Sequence, residues 1–357
     1  MSVLQMSELP LQKPFCVPAR FCTPKSGGAV QCLTCAHECV VFPGKYGHCR
    51  TRKNLDGTLY AGTYGLVSSF STNPMEKKPF FHYWPGSNAL TVGSFGCNFD
   101  CLWCQNADIS HTFPRKTEFP RYISPEDLVQ RAVKARIGAI SFSFNEPTLF
   151  AEYALDALVC MVPAGIRGNF VTNGFMSPDV RDALITAGLA AACINVKGDA
   201  RVVQKYCGAN VERVWTNAVA FAQAGVHVEL VTLVIPGLND DPYIIEGIAR
   251  RILSDLDPET PWHLTKYYPC WKAREIGCTR VTPVVDLERC RQQGIDAGLQ
   301  YVYIGNVPGH MGENTYCPGC GALVIERNLY DITPYYVVNK NFAACPSCGQ
   351  IIPIKLK

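Results

Sequence analysis

A chain of 357 residues, 48% of them hydrophobic, is long enough for two domains or for one barrel-sized domain with small appendages. The net charge of +3 and the charged fraction of 18% fall short of the basic excess of a nucleic-acid-binding protein, so small-molecule or protein substrates are favoured over nucleic acid. No run of about 18 apolar residues predicts a membrane span, and the N-terminus lacks the features of a signal peptide.

The cysteine content is the most unusual feature of the composition. Nineteen cysteines are too many for chance, and an odd number cannot pair completely within one chain. Metal ligation in the reducing cytoplasm, where thiols persist, is the better interpretation. The dispersed cysteines, which we interpret mostly as small buried side chains, are Cys16, Cys22, Cys160, Cys193, Cys207, Cys270, Cys278 and Cys290.

The first cysteine group, Cys32, Cys35, Cys39 and Cys49, has the spacing C-x2-C-x3-C-x9-C with His37 inside it. Zinc, an auxiliary iron-sulfur cluster and reduced structural thiols are all compatible with this spacing. We expect residues 1–15 to form a flexible N-terminus and residues 16–85 to form a Cys-rich N-terminal segment around this group.

Residues 89–305 predict a parallel sheet with crossover helices, because apolar segments of strand length alternate there with amphipathic segments. The strand candidates are ALTVGSF, AISFSF, GNFV, AACINV, VHVELVTLVI and HLTKYY. Ser124 and Ser177 are each followed by proline, so each predicts a helix with an N-cap serine and proline at its first position. We therefore expect residues 86–310 to form a barrel of alternating strands and helices.

Polar segments follow most of these strands at their C-terminal ends. After the cysteine loop they are NEPT (residues 145–148), TNG (172–174), NVKG (195–198) and PGLND (236–240). In barrels of this kind the site is built at that face, so we expect thiols, a carboxylate, a lysine and several amides to converge. Taken singly, each segment is equally compatible with a turn or a helix cap.

The loop GCNFDCLWCQN, residues 96–106, holds three thiols, Cys97, Cys101 and Cys104. Three thiolates can hold three irons of a 4Fe-4S cube and leave the fourth iron to a ligand that is not protein. The alternatives are a zinc site completed by a distant histidine, or cysteines of the core.

The C-terminal group consists of a CPGC and a CPSC turn, with Cys317, Cys320, Cys345 and Cys348 as ligands. This separation is close to that of zinc ribbons and rubredoxins, so residues 311–357 predict a four-Cys metal module. Structural zinc is the favoured metal, with an iron relay for single electrons as the alternative.

The three-cysteine motif, with Trp103 before its last cysteine, resembles the signature of the radical SAM superfamily. More closely, the chain resembles the AmmeMemoRadiSam-type radical SAM proteins, which are related to the activating enzymes of pyruvate formate-lyase and other glycyl radical enzymes. The resemblance runs from Cys32 to the C-terminus. It is carried by CLTCAHECVVFPGKYGHCR, NPMEKKPFFHYWPGS, GCNFDCLWCQN, FNEPT, VTNG, LVIPGLND, YVYIGNVPGHMGENTYCPGCG and CPSCG.

This resemblance implies a partial TIM-type (β/α)6 barrel and a 4Fe-4S cluster whose open iron binds S-adenosylmethionine. One electron from a one-electron donor then cleaves S-adenosylmethionine to methionine and a 5'-deoxyadenosyl radical, which abstracts hydrogen from an unidentified substrate. The resemblance also implies AMMECR-type and Memo-type partner proteins. The alternatives are an activase for a glycyl radical enzyme, and a non-catalytic zinc-ribbon scaffold or RNA-binding protein.

Residue roles implied by the resemblance concern the cluster, the nucleotide and the methionine. Cys97, Cys101, Cys104 and Lys197 are the catalytic candidates, with Lys197 directed to the ligand carboxylate or the substrate. The candidate cofactor-binding residues are Trp103 and Gln105 at the adenosyl portion, Asn145, Glu146 and Pro147 at the methionine amino group, Thr172 and Asn173 at the methionyl or ribose part, and Asn195 and Tyr268.

The chain departs from the related activating enzymes at three positions. Asn195 replaces the aspartate of an Asp-x-Lys segment, and Val171 replaces an aspartate before Thr-Asn-Gly. We therefore expect the cation that accompanies the methionine carboxylate in those enzymes to be absent here. Tyr268 stands where a strand-end histidine is expected, while His263 is interpreted as structural.

Overall fold

The computed structural model describes residues 13–113, 121–339 and 342–357. The chain forms two compact units. The first comprises Met1–Thr72, Ala89–Ala190 and Cys207–Ala209, and the second comprises Asn73–Asn88, Ala191–Tyr206 and Asn210–Lys357. Most of the N-terminus predicted to be flexible lies outside the described residues, and the domain boundaries drawn from the sequence stay a prediction.

The first unit combines two small antiparallel sheets with the beginning of the α/β core. Its strands are β1 (Val17–Pro18), β2 (Cys22–Pro24), β3 (Val30–Cys32), β4 (Val40–Val41), β5 (Arg52–Leu55), β6 (Thr58–Ala61), β7 (Ser69–Pro74), β8 (Asn88–Gly93), β9 (Ala139–Phe142) and β10 (Arg167–Thr172). The small sheets have the orders β1-β6-β5 and β2-β3-β4, and the core strands follow the order β7-β8-β9-β10. Strands β8, β9 and β10 are parallel.

The helices of the first unit are α1 (Ala107–Ser110), α2 (Pro125–Lys134), α3 (Ala151–Met161) and α4 (Pro178–Thr186). Two of them, α2 and α4, begin where the sequence predicts. The Ser124 hydroxyl accepts the Asp127 amide, and the Ser177 hydroxyl accepts the Val180 amide, so both N-caps are confirmed. Each cap satisfies an N–H group that has no partner within the first helical turn.

The two faces of strands β9 and β10 differ in chemistry. Phe142 packs its ring against Phe150 and Phe170, at centroid distances of 5.9 and 5.4 Å. Side chains alternate along a strand, so Ser141 and Asn169 point to the opposite face, where the strand register places them side by side. The face that carries Phe142 and Phe170 is therefore aromatic. The opposite face, which carries Ser141 and Asn169 and is called the inner face below, is polar.

The second unit continues the α/β pattern and adds the C-terminal module. Its elements are β11 (Leu189–Asn195), α5 (Ala200–Val202) with a π-helix (Val203–Cys207), α6 (Val211–Gln223), β12 (His227–Val234), α7 (Pro242–Asp255), β13 (Trp262–Lys266), α8 (Val284–Asp296), β14 (Val302–Gly305), β15 (Thr315–Tyr316), β16 (Leu323–Asn328), β17 (Asp331–Pro334), β18 (Val337–Asn339), β19 (Phe342–Ala344) and β20 (Ile351–Ile352). The parallel strands follow the order β14-β13-β12-β11. Two antiparallel sheets, β15-β16-β17 and β18-β19-β20, build the C-terminal module.

The α/β fold class and the six predicted strands are confirmed, with boundaries that shift by no more than two residues. A parallel β-strand followed by a helix buries both of its faces, which explains why apolar segments marked these strands in the sequence. Within the described ranges, none of the helices combines the length and apolar character needed to cross a membrane.

Candidate active site and metal centres

The loop after β8 carries the three thiols of the motif. Cys101 is buried, whereas Cys97 and Cys104 are half-buried. The Phe99 amide donates to the Cys97 sulfur at 3.4 Å. Burial raises the pKa of Cys97, and the nearby charges of Glu146, Cys101 and Cys104 raise it further. The three thiols are therefore within electrostatic range of one another.

Asn145, at the end of β9, fixes the start of this loop. Its Oδ1 accepts the Ser94 amide at 2.9 Å, and its Nδ2 donates to the Gly96 carbonyl at 3.1 Å. Gly96 itself has a φ of +86°, and a Cβ there would lie 2.4 Å from the Thr51 methyl group. Only glycine meets both requirements, so the side chain of Asn145 braces a turn that the sequence makes possible at Gly96.

The carboxylate of Glu146 organises the segment that follows β10. Its Oε1 accepts hydrogen bonds from the Thr148 amide at 3.1 Å and from the Thr148 and Thr172 hydroxyls at 2.6 Å each. Its Oε2 accepts the Asn173 amide at 2.8 Å. Burial raises the pKa of Glu146, and these donors oppose the rise. Because Oε2 accepts only one of these four bonds, it retains capacity for a further donor.

Asn173 connects the TNG segment to the cysteine loop. Its Nδ2 donates to Asn98 Oδ1 at 2.7 Å and lies 3.8 Å from the Cys97 sulfur. Asn98, which is fully buried, donates its own Nδ2 to the Phe175 carbonyl at 3.3 Å. Asn98 was not among the predicted site residues, although its place between Cys97 and Cys101 was a usable signal.

The remaining predicted residues of the first unit differ in exposure. Trp103 is buried and Gln105 is exposed. Pro147 is buried at the first position of the 3-10 helix Pro147–Phe150. The structure thus brings the cysteine loop, NEPT and TNG together, while the roles of these residues toward a nucleotide stay predictions.

Cys207 was interpreted as a dispersed core cysteine, but it lies beside the motif. Its sulfur is 3.4 Å from the Cys101 sulfur, and both side chains are buried. The Asp100 amide also donates to the Cys207 carbonyl at 3.1 Å. Nothing in the spacing of the sequence could have indicated a contact across 106 residues.

The inner face of β9 and β10 holds buried polar atoms without hydrogen-bond partners among the described residues. They are Ser141 Oγ and both side-chain heteroatoms of Asn169. Neither residue has measurable solvent exposure. Buried amides and hydroxyls are normally paired, and leaving one unpaired costs about 1–3 kcal/mol. Such groups are expected where a ligand supplies the partner.

Asn195, Lys197 and Tyr268 belong to the second unit. The Lys197 carbonyl accepts the Asn239 Nδ2 at 2.9 Å, so the segments after β11 and β12 meet. Asn195 Oδ1 is buried and has no hydrogen-bond partner among the described residues. Tyr268 is 46% exposed, and the Lys266 ammonium lies 5.5 Å from its ring centre. His263 donates through Nε2 to the buried Glu229 carboxylate at 2.7 Å, consistent with its interpretation as structural.

The C-terminal cysteines form the tightest ligand group. Sulfur atoms of Cys317, Cys320, Cys345 and Cys348 all lie within 4.8 Å of one another. The two turns are alike: Gly321 donates its amide to the Cys317 carbonyl at 2.9 Å, and Gly349 donates to Cys345 at 3.0 Å. The Cys348 amide hydrogen bond, followed by that of Ser347, lowers the pKa of Cys345 to about 6. Four convergent thiols at this separation fit a tetrahedral metal ion.

The N-terminal cysteines occupy the sheet β2-β3-β4 and the turns that follow it. Cys32 and Cys35 are buried, and Cys39 and Cys49 are half-buried. Two histidines of this segment contact the cysteine loop: His37 Nε2 lies 2.7 Å from the Asn98 carbonyl, and His48 Nε2 lies 3.1 Å from Asp100 Oδ2. The rings of the two histidines are 4.3 Å apart.

The residues of the cysteine loop fit an iron-sulfur cluster and an amino-acid nucleotide. Thiolates are the usual cluster ligands, and amide donors to their sulfurs, such as Phe99 to Cys97, are typical of such sites. The partnerless groups of Ser141 and Asn169 and the second oxygen of Glu146 offer hydrogen bonds to a polar ligand.

Comparisons with known proteins place this geometry in a family. The radical SAM superfamily matches residues 91–245. An uncharacterized protein of Methanocaldococcus jannaschii is 36% identical over 329 residues, which are 92% of this chain and 96% of that protein.

Two solved structures are also similar to parts of the chain. A domain of pyruvate-formate lyase-activating enzyme from Bacteroides vulgatus is 23% identical, with a TM-score of 0.41, and the similarity covers 47% of this chain and 99% of that domain. Streptococcus suis SuiB bound to S-adenosylmethionine is 14% identical, with a TM-score of 0.45 and coverage of 63% and 50%.

Proposed function

The chain belongs to the radical SAM superfamily and is an enzyme, and from this premise we propose that it cleaves S-adenosylmethionine reductively at a 4Fe-4S cluster held by Cys97, Cys101 and Cys104. The cluster, when bound, supplies the electron that generates a 5'-deoxyadenosyl radical, and this radical abstracts hydrogen from a substrate. Family membership excludes the non-catalytic scaffold considered from the sequence.

The observation that carries this proposal is the bracing of the three-thiol loop from two neighbouring strand ends. Asn145 holds the backbone before Cys97, and Asn173 holds Asn98 after it. Both asparagines are buried, so these hydrogen bonds are shielded from water. A loop fixed in this way presents its thiols in one arrangement before a cluster binds.

Glu146 and Asn173 are proposed to receive the amino-acid end of S-adenosylmethionine. The free capacity of Glu146 Oε2 suits an ammonium group, and the carboxylate is buried, so a paired charge there is strongly favoured over an unpaired one. Trp103, Gln105, Pro147 and Thr172 stay predicted contacts of the same ligand.

The polar inner face of the sheet supports a substrate with hydrogen-bonding groups. Asn169 offers both a donor and an acceptor, and Ser141 lies next to it in register. A site built with buried polar groups rejects ligands that leave those groups unpaired. A purely hydrocarbon substrate is therefore disfavoured.

Structural zinc is our proposal for the C-terminal group. Cys317 and Cys345 are buried and Cys320 and Cys348 are exposed, so the ion would join the cores of two antiparallel sheets. The one-electron donor, the AMMECR-type and Memo-type partners and a cytoplasmic location stay predictions.

The proposed function is tested by anaerobic reconstitution with iron and sulfide, followed by incubation with S-adenosylmethionine and dithionite. We expect 5'-deoxyadenosine and methionine as products, measured by liquid chromatography and mass spectrometry. Replacement of Cys97, Cys101 or Cys104 by alanine should abolish both. Cys290→Ala, which alters a buried cysteine of helix α8, is the matched control and should retain activity. Product formation by the Cys97→Ala variant at the native rate would overturn the proposal.

A further inference from the structure

The N-terminal cysteines are brought together by backbone pairing. Cys32 ends β3, and the antiparallel register places it opposite Cys22. The Cys32 amide donates to the Cys39 carbonyl at 2.8 Å. A Cβ on Gly47 would lie 3.9 Å from the Cys39 Cβ, so the turn that leads to Cys49 passes beside Cys39.

Backbone amides are directed at three of these four sulfurs. Burial raises the pKa of Cys35, Cys39 and Cys49, and the N–H groups of His37, His48 and Thr51, respectively, oppose that rise. The Thr51 hydroxyl also lies 3.1 Å from the Cys49 sulfur. The thiols of Cys97 and Cys345 receive amide hydrogen bonds in the same way.

The spacing of the sulfurs discriminates between a single ion and a cluster. Among the described residues, the C-terminal group is the one set of three or more ligand atoms that all lie within 4.8 Å of one another. A tetrahedral ion holds all four sulfurs at about 2.3 Å from one atom. In a cube each cysteine binds a different iron, so its sulfurs stand farther apart. Within the part of the chain that the structure describes, neither the N-terminal group nor Cys97, Cys101 and Cys104 supplies three ligand atoms that all lie within 4.8 Å of one another.

We propose that Cys32, Cys35, Cys39 and Cys49 bind a second iron-sulfur cluster, of the 4Fe-4S class, beside the three-thiol loop. His37 contacts the carbonyl of Asn98, and His48 pairs with Asp100, so the ligand segment rests on the residues between Cys97 and Cys101. The Thr51 methyl group packs against Gly96, at the start of the same loop. The second cluster does not depend on S-adenosylmethionine cleavage, because its ligands are separate from those of the first.

The test uses the full chain with Cys97, Cys101 and Cys104 replaced together by alanine, purified and reconstituted without oxygen. This variant should retain about four irons and about four acid-labile sulfides per chain, bound at the N-terminal site. Addition of Cys35→Ala should remove the sulfide. Addition of Cys160→Ala, on helix α3, is the matched control and should not change the sulfide content. After dithionite reduction, electron paramagnetic resonance should show a reduced cluster in the triple-alanine variant and in its Cys160→Ala control. It should show none in the variant that also carries Cys35→Ala.

Two results would overturn the proposal of a second cluster. One is a folded triple-alanine variant, as judged by circular dichroism, that contains no acid-labile sulfide. The other is a chain that binds about two zinc ions and no N-terminal sulfide, because the group then behaves like the C-terminal one. If Cys35→Ala does not fold, Cys39→Ser in the otherwise native chain replaces it, and there the sulfide content should fall by half. Retention of all the sulfide would contradict the proposal. Failure of the native protein to cleave S-adenosylmethionine, with sulfide still retained in the triple-alanine variant, would instead count against the proposed function alone.

Discussion

The Asn173 amide donates to Glu146 Oε2 at 2.8 Å, across 27 residues of sequence. This bond joins the NEPT segment to the TNG segment. The side chain of Asn173 also donates a hydrogen bond to Asn98 in the cysteine loop. The three segments therefore form one hydrogen-bonded unit with a single buried carboxylate at its centre.

We expect Glu146→Gln to lower the rate of 5'-deoxyadenosine formation by about 10- to 100-fold, the usual loss when a group that orients metal ligands is altered. The amide replaces one accepting oxygen by a donor, so one of the four donors facing the carboxylate loses its acceptor. Glu126→Gln, on the exposed surface of helix α2, is the control and should leave the rate unchanged. Iron and sulfide analysis separates loss of the cluster from loss of the nucleotide site, and an unaltered rate would contradict the assigned role.

Cys207→Ala should shift the midpoint potential of the cluster to a more negative value. In the loaded protein Cys101 is a thiolate, so the Cys207 thiol at 3.4 Å is the donor of the sulfur-sulfur contact. A hydrogen bond to a ligand sulfur stabilises the reduced, more negatively charged cluster. A redox titration followed by electron paramagnetic resonance measures the shift. Cys290→Ala is again the control, and equal potentials in the native and Cys207→Ala proteins would rule out the contact as a tuning element.

The parallel strands and the helix caps could be predicted from sequence because each depends on local chemistry. Apolar segments define β9 and β12, and the Ser-Pro pairs before α2 and α4 define helix starts. The interactions that brace the site are different, because they join residues far apart in the chain. The hydrogen bonds of Asn145 to the backbone of Ser94 and Gly96 are an example, and its predicted contact with the methionine amino group stays a prediction.

Charge pairs that determine how the cysteine segments pack were also invisible in the sequence. The pairing of His48 with Asp100 depends on the path of the chain between β4 and β8, which no local pattern specifies. Hydrogen bonding to Asp100 is the main cause of the raised pKa of His48. A contact between a histidine and an aspartate 52 positions apart cannot be predicted from the sequence without knowledge of the fold.

Glu152→Ala should destabilise the first unit by about 3–5 kcal/mol, because it leaves the Arg52 guanidinium buried without its carboxylate. Both side chains are 1% exposed, and Arg52 donates to Glu152 through Nη1 at 2.8 Å and Nη2 at 2.7 Å. Chemical denaturation of the protein measures the loss. The double variant Arg52→Met, Glu152→Leu should recover most of it, since neither buried charge remains. A double variant no more stable than the single one would contradict this account.

His82 lies in the most highly charged part of the second-unit core. Its Nε2 is 2.6 Å from the Tyr303 hydroxyl, and its Nδ1 is 3.3 Å from the Pro353 carbonyl. Burial lowers the pKa of His82 to about 3, and Glu229 opposes this while Arg327 and His227 add to it. Glu229 is held by His227 and His263, whose hydrogen bonds keep its pKa well below the usual value despite burial.

The free energy of unfolding should fall as the pH drops from about 6.5, the ordinary histidine pKa, towards 3. In this interval the imidazole of His82 is protonated in the unfolded chain but not in the folded chain. The unfolded state therefore binds one more proton at this residue. The slope from this group approaches about 1.4 kcal/mol per pH unit, and His82→Gln should remove it. Glu229 acts in the same direction only below about pH 4.3, where unfolded carboxylates protonate. His37, whose pKa burial also lowers, contributes in the same interval. The difference in melting temperature between the native protein and His82→Gln from pH 5 to 6.5 therefore isolates His82, once each protein is referred to its own value at pH 7.5. Parallel curves for the native protein and His82→Gln over that interval would show that residue 82 does not carry the effect.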